Sequence, residues 1–255
     1  MGLGLFVIAA GVISTLLFIR PEPIQRDTVT LCPSTGITGV TAVLIDTTDG
    51  ITPVSKADAL NQLSTIVRST APGELVEVFQ TAPIVGEPLP SVTTLCNPGS
   101  PDLADPLISN PVLVQQRWDQ QFEGPLDELF TELLHAEEAT TSPLMESIQS
   151  IAVTSFGKLG RQTVPKTLVV VSDLLQNTSN YSHYSHVVDF GSFSADTDAY
   201  RALAADLRGV DVEILYLQRK TERAISGNDV VNFWYAWLDE HGAGRVHTTK
   251  LAGLN

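Results

Sequence analysis

Two apolar runs that each end in an aspartate constrain the fold of this chain more than any other feature. Val40–Ile45 reads VTAVLI and is followed by Asp46, and Lys166–Ser172 reads KTLVVVS and is followed by Asp173. Runs of this length, rich in β-branched residues and without polar alternation, are typical of strands buried on both faces of a parallel sheet. The chain is therefore expected to form a sheet covered by helices on both faces.

Helical and strand patterns alternate along the rest of the chain. Apolar spacing predicts helices near residues 56–69, 112–138 with an interruption at Gly124-Pro125, 143–156, 197–207 and 230–241. Further strands are predicted at 74–80, 91–95, 210–217 and 245–249, the first two as a hairpin. This order predicts an α/β fold: a three-layer, doubly wound, mostly parallel sheet with one antiparallel edge strand.

The beginning of the chain has a different composition. Residues 3–19 read LGLFVIAAGVISTLLFI, an uncharged run of about 17 residues that is close to the shortest helix able to cross a bilayer. No basic segment precedes it and no small-residue cleavage site follows, which favours a membrane anchor over a cleaved signal peptide. We therefore divide the chain into a transmembrane anchor (1–20), a linker and lead-in (21–39) and an α/β domain (40–255).

The charge of the chain excludes one class of partner. The sequence has 29 acidic and 15 basic residues, a net charge of −14. Nucleic-acid binding depends on lysine and arginine displacing counterions from phosphates, so this chain is not expected to bind nucleic acid. The charged residues all follow the apolar run 3–19, so the domain after it is acidic.

Two cysteines bear on the side of the membrane that the domain occupies. Cys32 precedes the first strong strand and Cys96 follows another, and a disulfide between them would close a loop of about 64 residues. Such a bond persists only in an oxidising compartment, and two free thiols are the alternative. Arg20 and Arg26 after the span favour a cytoplasmic domain instead. We expect an extracytoplasmic, periplasmic domain.

The aspartates at the two strand ends form the candidate site. Ligands of open parallel sheets bind at the carboxyl ends of the strands, where Asp46 and Asp173 are both expected. If their strands are neighbours, the two carboxylates repel each other unless a cation or protons lie between them. Mg²⁺, which prefers oxygen ligands, is the expected cation. The alternative is that each aspartate caps a following helix.

These residues resemble the metal-ion-dependent adhesion site of the von Willebrand factor A family. In that family the first strand ends in Asp-x-Ser-x-Ser, a later loop supplies a Thr or Ser, and the fourth strand ends in Asp. Asp46 matches the first Asp, Thr48 the middle hydroxyl and Asp173 the last Asp. Gly50 stands where the second Ser is expected, and Leu174 stands where the family usually has Gly.

The later hydroxyl of the resemblance best matches Ser142. Ser142-Pro143 opens a predicted helix, which Ser142 is also expected to cap, and Thr141 is the fallback. Asp49 is a substitute for the hydroxyl missing at Gly50. The resemblance covers nearly the whole domain and is closest to membrane-anchored, uncharacterised bacterial proteins. It implies a tethered, non-enzymatic domain that binds a protein partner through Mg²⁺, with an acidic group of the partner completing the site.

Three alternatives remain open. A haloacid-dehalogenase-type phosphatase also has an Asp after a buried strand, as Asp46 is, and would use Ser172 as its phosphate-binding hydroxyl. Asp189 is the nearest candidate for its later acidic residue. A metal-free scaffold with the same fold is the second alternative. The third is zinc binding by His183 and His186, for which the sequence offers no evident third ligand.

Overall fold

The structure is a computed structural model that describes residues 24–46, 48, 50–82, 88–100, 110–135, 139–219 and 225–253. Its strands are β1 (Val40–Ile45), β2 (Leu75–Gln80), β3 (Thr93–Cys96), β4 (Lys166–Ser172), β5 (Val210–Tyr216) and β6 (Val246–Lys250). They form one sheet in the order β3-β2-β1-β4-β5-β6, in which β2 and β3 are antiparallel and the other neighbours are parallel. The predicted mostly parallel sheet with an antiparallel edge strand is confirmed.

Helices connect the parallel strands. They are α1 (Pro53–Ser69), α2 (Pro111–Trp118), α3 (Gly124–Leu133), α4 (Leu144–Ile151), α5 (Phe190–Ala195), α6 (Thr197–Ala202) and α7 (Gly227–Glu240). Two π-helical turns, Asp119–Glu123 and Ala152–Phe156, continue α2 and α4. Most of these bounds lie within a few residues of the predicted ones, as expected where periodic apolar residues define the element.

The hydrophobic core lies on both faces of the sheet. Along β1, Ala42 and Leu44 face a cluster that contains residues of α4 to α7, whereas Val43 and Ile45 face a second cluster formed with α1, α3 and the end of α2. All of β1 is buried, because successive side chains of a strand point to opposite faces and both faces are covered. The three-layer arrangement follows directly from the apolar pattern of β1.

The predicted interruption at Gly124-Pro125 is wrong. The chain continues through this point because the π-helical turn lets the Gly124 amide donate to the carbonyl of Asp119, five residues back. Pro125 then falls in the first turn of α3, where its missing N–H is not needed. A Cβ atom at position 124 would overlap the Asp119 carbonyl, so glycine is required here.

The region predicted as a helix near 197–207 also differs. Helix α5 begins before the predicted helix, at Phe190, and α6 ends at Ala202. Each has an aspartate as its N-cap, Asp189 for α5 and Asp196 for α6, whose side chains accept backbone amides. Short helices of this kind give too few apolar repeats for the periodicity to reveal them.

Residues of the predicted lead-in pack against the domain. Arg26 donates to the carbonyls of Leu31 and Asn97 at 3.1 and 3.4 Å. The structure joins Cys32 to Cys96, with their Cα atoms 4.8 Å apart. The predicted anchor at 3–19 lies outside the described residues. None of the helices in the described part of the chain combines the length and apolarity that a membrane crossing requires.

Candidate metal centre

Asp46 lies in a shell of hydroxyl groups at the carboxyl edge of the sheet. Its side chain is 5% exposed, and it follows directly after β1. Four hydroxyls lie within hydrogen-bond distance of its carboxylate oxygens: Thr48 Oγ1 (2.8 Å) and Thr81 Oγ1 (3.2 Å) at Oδ1, and Ser142 Oγ (3.1 Å) and Ser172 Oγ (2.8 Å) at Oδ2. The Thr48 amide also donates to Oδ1 at 3.2 Å. Every one of these donors is neutral.

The sheet order brings the two predicted aspartates to the same place. β1 and β4 are direct neighbours, and the Asp46 amide donates to the Val171 carbonyl at 2.9 Å. Asp173 is the first residue after β4, next to Ser172, whose hydroxyl contacts Asp46. Asp46 and Asp173 are both buried, each with 5% of its surface exposed. Two carboxylates at one buried strand edge require compensating positive charge or hydrogen bonds.

The negative charge of Asp173 is paired with an arginine that no sequence motif indicated. Arg219 Nε lies 2.6 Å from Asp173 Oδ2, and the arginine side chain is 17% exposed. Asp173 Oδ1 accepts the Leu175 amide at 3.0 Å. The reason for the pairing is topological: β5 lies beside β4, and the Leu217 amide donates to the Ser172 carbonyl, so the chain leaving β5 passes Asp173. The sequence signal that could have identified Arg219 was a basic residue two positions after the predicted strand 210–217.

The loops that carry Ser142 and Asp173 are bonded to each other. Ser142 and Asn177 exchange backbone hydrogen bonds of 2.9 Å in both directions. The side chain of Gln176, which is completely buried, accepts the Met145 amide at 2.9 Å. The prediction that Ser142 caps the following helix is therefore wrong: its hydroxyl donates to Asp46, and Gln176 satisfies an amide at the start of α4 instead.

Leu174 adopts a backbone conformation that favours glycine. Its φ is +64°, where a side chain is strained and glycine is not, and the resemblance places glycine at this position. The surroundings hold the conformation: the Leu174 amide donates to Ser172 Oγ at 2.7 Å, and the indole of Trp234 donates to the Leu174 carbonyl at 2.8 Å. Trp234 is buried in α7, so a helix fixes the backbone next to Asp173.

A small open cavity lies above the hydroxyl shell. Its volume is about 210 Å³, and Thr48, Ser142, Thr141 and Tyr184 are among its lining residues. Thr48 and Ser142 therefore contact both Asp46 and the cavity, whereas Thr141 is exposed and has no bond to Asp46 among the described residues. Of the two hydroxyls proposed for the later loop, the structure brings Ser142 to the site and leaves Thr141 at its rim.

Several sequence interpretations have different outcomes in the structure. Gly50 is exposed, and its substitute Asp49 lies outside the described residues. Asp46 does not cap α1, because Thr52 is the N-cap of that helix. Thr81, which no motif indicated, supplies a further hydroxyl from the end of β2. It was missed because it follows a strand that was predicted for packing alone.

The residues on which the phosphatase alternative depends have structural partners. Ser172 is completely buried, donates to Asp46 and accepts the Leu174 amide. Asp189 caps α5 by accepting the Ser192 amide at 2.8 Å. Neither side chain lines the cavity above Asp46.

The two histidines are part of an aromatic cluster. Burial lowers the pKa of His183 to about 4, so its ring is neutral at pH 7, and its Nδ1 accepts the Gln176 amide at 3.2 Å. The ring of His186 stacks on Tyr181 at a centroid distance of 5.1 Å. Within the described residues, no group of three or more His, Cys, Asp or Glu side chains is placed to hold a metal ion. A histidine zinc site is thus without a third ligand there.

The oxygen-bearing side chains at this edge of the sheet fit a hard divalent cation. The set consists of oxygen atoms: carboxylates from Asp46 and Asp173 and hydroxyls from Thr48 and Ser142. Mg²⁺ binds through one or two protein carboxylates and keeps several waters, so it does not need a dense cluster of acids. Neutral hydroxyls can stay bonded to Asp46 while their oxygen lone pairs face the cavity.

Comparison with known proteins gives remote structural similarities. No protein-family model matches the sequence, and no curated protein matches it. An aerotolerance-related membrane protein from Bacteroides fragilis is 10% identical with a TM-score of 0.36, and BatB from Bacteroides thetaiotaomicron is 11% identical with a TM-score of 0.38. Each comparison covers 85% of this chain and 92% of the other.

A third solved structure is proximal thread matrix protein 1 from the mussel byssus, described with a zinc-occupied metal-ion-dependent adhesion site motif. It is 12% identical with a TM-score of 0.43, and the comparison covers 85% of this chain and 42% of the mussel protein. The six-stranded sheet of this chain, its single antiparallel edge and the Asp-terminated neighbouring strands β1 and β4 are described above from the chain's own structure. These features agree with the fold that the resemblance to the von Willebrand factor A family implies.

Proposed function

We propose that this domain is a protein-binding module that docks its partner through a divalent cation, with Mg²⁺ as the physiological ion. Asp46, Thr48, Ser142 and Asp173 are the residues that would hold it. The ion would supply positive charge at the mouth of the cavity and a coordination position for an acidic group of the partner. The chain's own residues would position that charge.

One observation carries the proposal: a buried carboxylate that is surrounded by neutral donors lies directly below an open cavity. Thr48 and Ser142 connect the two, since each contacts Asp46 and lines the cavity. Within the described residues the carboxylate of Asp46 has hydroxyl and amide partners but no cationic partner, so a cation from solvent could supply the missing positive charge. The cavity gives that cation access, and its volume of about 210 Å³ suits an ion, its waters and one carboxylate side chain.

The proposal includes the setting of the domain. Residues 3–19 would anchor the chain in the membrane, because their length and lack of charge suit a spanning helix. The domain would lie on the extracytoplasmic side, where the Cys32–Cys96 disulfide would be maintained. A tethered module of this kind would recruit an acidic segment of a partner protein to the membrane surface.

Thermal unfolding in the presence of metal tests the proposal. The full chain, purified in a mild detergent, should melt at a higher temperature in 5 mM Mg²⁺ than in EDTA, because a ligand that binds the folded state stabilises it by mass action. Asp46→Ala should abolish the gain. Identical melting curves of the unmodified chain in EDTA and in Mg²⁺ would contradict the proposal.

A metal-free scaffold with the same fold is the second candidate, and the Asp173–Arg219 pair favours it. That pair neutralises one of the two carboxylates without any external ion. In this case the partner would bind through shape and hydrogen bonds at the same edge, and Mg²⁺ would leave both stability and binding unchanged.

A further inference from the structure

We infer that Arg219 is a built-in competitor for the metal site, which pairs with Asp173 and thereby sets the affinity of the site for divalent cations. This inference rests on the proposed function. It concerns a residue that lies outside the Asp, Ser and Thr pattern of the resemblance and that the sheet order brings to the site.

The contact between Arg219 and Asp173 is close and largely shielded from solvent. The distance from Nε to Oδ2 is 2.6 Å, and the side chains are 17% and 4% exposed. Exposed ion pairs are weakened by water and salt, but a shielded pair retains most of its attraction. Asp173 therefore has a strong internal partner before any ion arrives.

The charges at the site show why the two cations compete. Asp46 and Asp173 contribute two negative charges, and Arg219 contributes one positive charge. A divalent ion alone would neutralise the two carboxylates, whereas with Arg219 in place it adds an excess positive charge. A cation in hydrogen-bond contact with a carboxylate weakens the affinity of that carboxylate for a second positive charge by about tenfold or more.

The chain immediately before Arg219 is held in place by the neighbouring strands. Leu217 is bonded to Ser172 and Leu251 is bonded to Tyr216, so the end of β5 is held between its two neighbouring strands. Gln218 donates to the Leu251 carbonyl at 3.2 Å, which holds the residue immediately before Arg219. The sheet thus places the guanidinium of Arg219 beside Asp173. Binding of a metal ion would require only the side chain of Arg219 to move.

Replacement of Arg219 tests the inference in two readouts. Calorimetric titration of Mg²⁺ into the full chain should give a Kd at least about tenfold lower for Arg219→Gln than for the unmodified chain. In EDTA, Arg219→Gln should melt at a lower temperature, because Asp173 loses its partner, and Mg²⁺ should restore the loss. Arg219→Lys, which keeps the charge but not the planar guanidinium, should give a Kd between the two and serves if the glutamine variant does not fold.

Arg208→Gln is the matched control, since it removes the same charge from an exposed pair with Asp206. Its Mg²⁺ affinity should equal that of the unmodified chain. Equal affinity in Arg219→Gln and the unmodified chain would overturn the inference and leave the metal site intact. Mg²⁺ binding by Arg219→Gln alone would support the inference and contradict the proposed metal dependence of the natural chain, whereas no binding by any variant would overturn both.

Discussion

Two buried carboxylates of this domain lie in opposite electrostatic environments. Asp46 is 5% exposed and is bonded to hydroxyls and one amide, all neutral. Glu77, on β2, is 2% exposed and has Arg161 Nη1 at 2.7 Å and Lys158 Nζ at 3.9 Å. The hydroxyl of Ser155 also donates to Glu77. One carboxylate has cations of its own, and the other has none among the described residues.

The difference shows that the same fold pairs one buried carboxylate with its own cations and leaves another available to a ligand. Glu77 lies within a strand, where Arg161 and the π-helical turn after α4 cover it. Asp46 lies at a strand end below an open cavity. A buried charge without a cation is costly, so it persists where it has a use or where many donors share it. Asp173, paired with Arg219, is intermediate between the two.

The largest expected effect comes from removing the charge of Glu77. Glu77→Gln leaves Arg161, 13% exposed, without its carboxylate, and should lower the free energy of unfolding by about 3 kcal/mol. The loss should be the same in EDTA and in Mg²⁺, as measured by urea denaturation. Asp211→Asn is the control, because it breaks an exposed pair with Arg245 and should change stability little. A metal-dependent loss for Glu77→Gln would contradict the distinction between the two carboxylates.

A smaller effect is expected at the backbone beside Asp173. Trp234→Phe removes the indole that bonds the Leu174 carbonyl and should cost about 1–2 kcal/mol beyond the loss of packing. Trp237→Phe is the matched control, because Trp237 is equally buried and its Nε1 has no hydrogen-bond partner in the described structure. Urea denaturation of both variants gives the difference. Equal losses would show that the indole bond does not hold Leu174 in its strained conformation.

The smallest effect on stability is expected at Ser142. Ser142→Ala removes one of the neutral donors to Asp46 and should cost about 1 kcal/mol in EDTA. It should also remove most of the increase in melting temperature that Mg²⁺ produces, because the Ser142 hydroxyl contacts Asp46 and Ser142 lines the cavity. Thr141→Ala, at an exposed neighbouring position, should keep the full gain. If both variants respond alike to Mg²⁺, Ser142 is not part of the metal site.

The central strands β1 and β4, and the aspartates that follow them, could be predicted from the sequence. β1 and β4 were predicted with the bounds that the structure has, because a continuous apolar run identifies a strand with two buried faces. The alternation of strands and helices predicts a mostly parallel sheet with Asp46 and Asp173 at its carboxyl edge, whereas the adjacency of β1 and β4 is known from the structure. A pattern within a few consecutive residues was sufficient for this part of the site.

Contacts between distant segments were not accessible in the same way. Three residues reach the site from the segments that follow three different strands, and none belongs to a local motif: Thr81, Gln176 and Arg219. The helix through Gly124-Pro125 was missed because a π-helical turn makes a glycine-proline pair compatible with continuation. The capping role assigned to Ser142 was wrong because a buried carboxylate competed for its hydroxyl. In each case a tertiary partner outweighed the local preference.

Calorimetric titration of Mg²⁺ into three forms of the full chain tests the central claim most directly. The unmodified chain should show saturable binding with a Kd in the millimolar range or tighter. Glu77→Gln should bind as the unmodified chain does, because its carboxylate is already neutralised by Arg161, and Asp46→Asn should not bind at all. Absence of saturable binding in the unmodified chain, or equal binding by Asp46→Asn, would contradict the account.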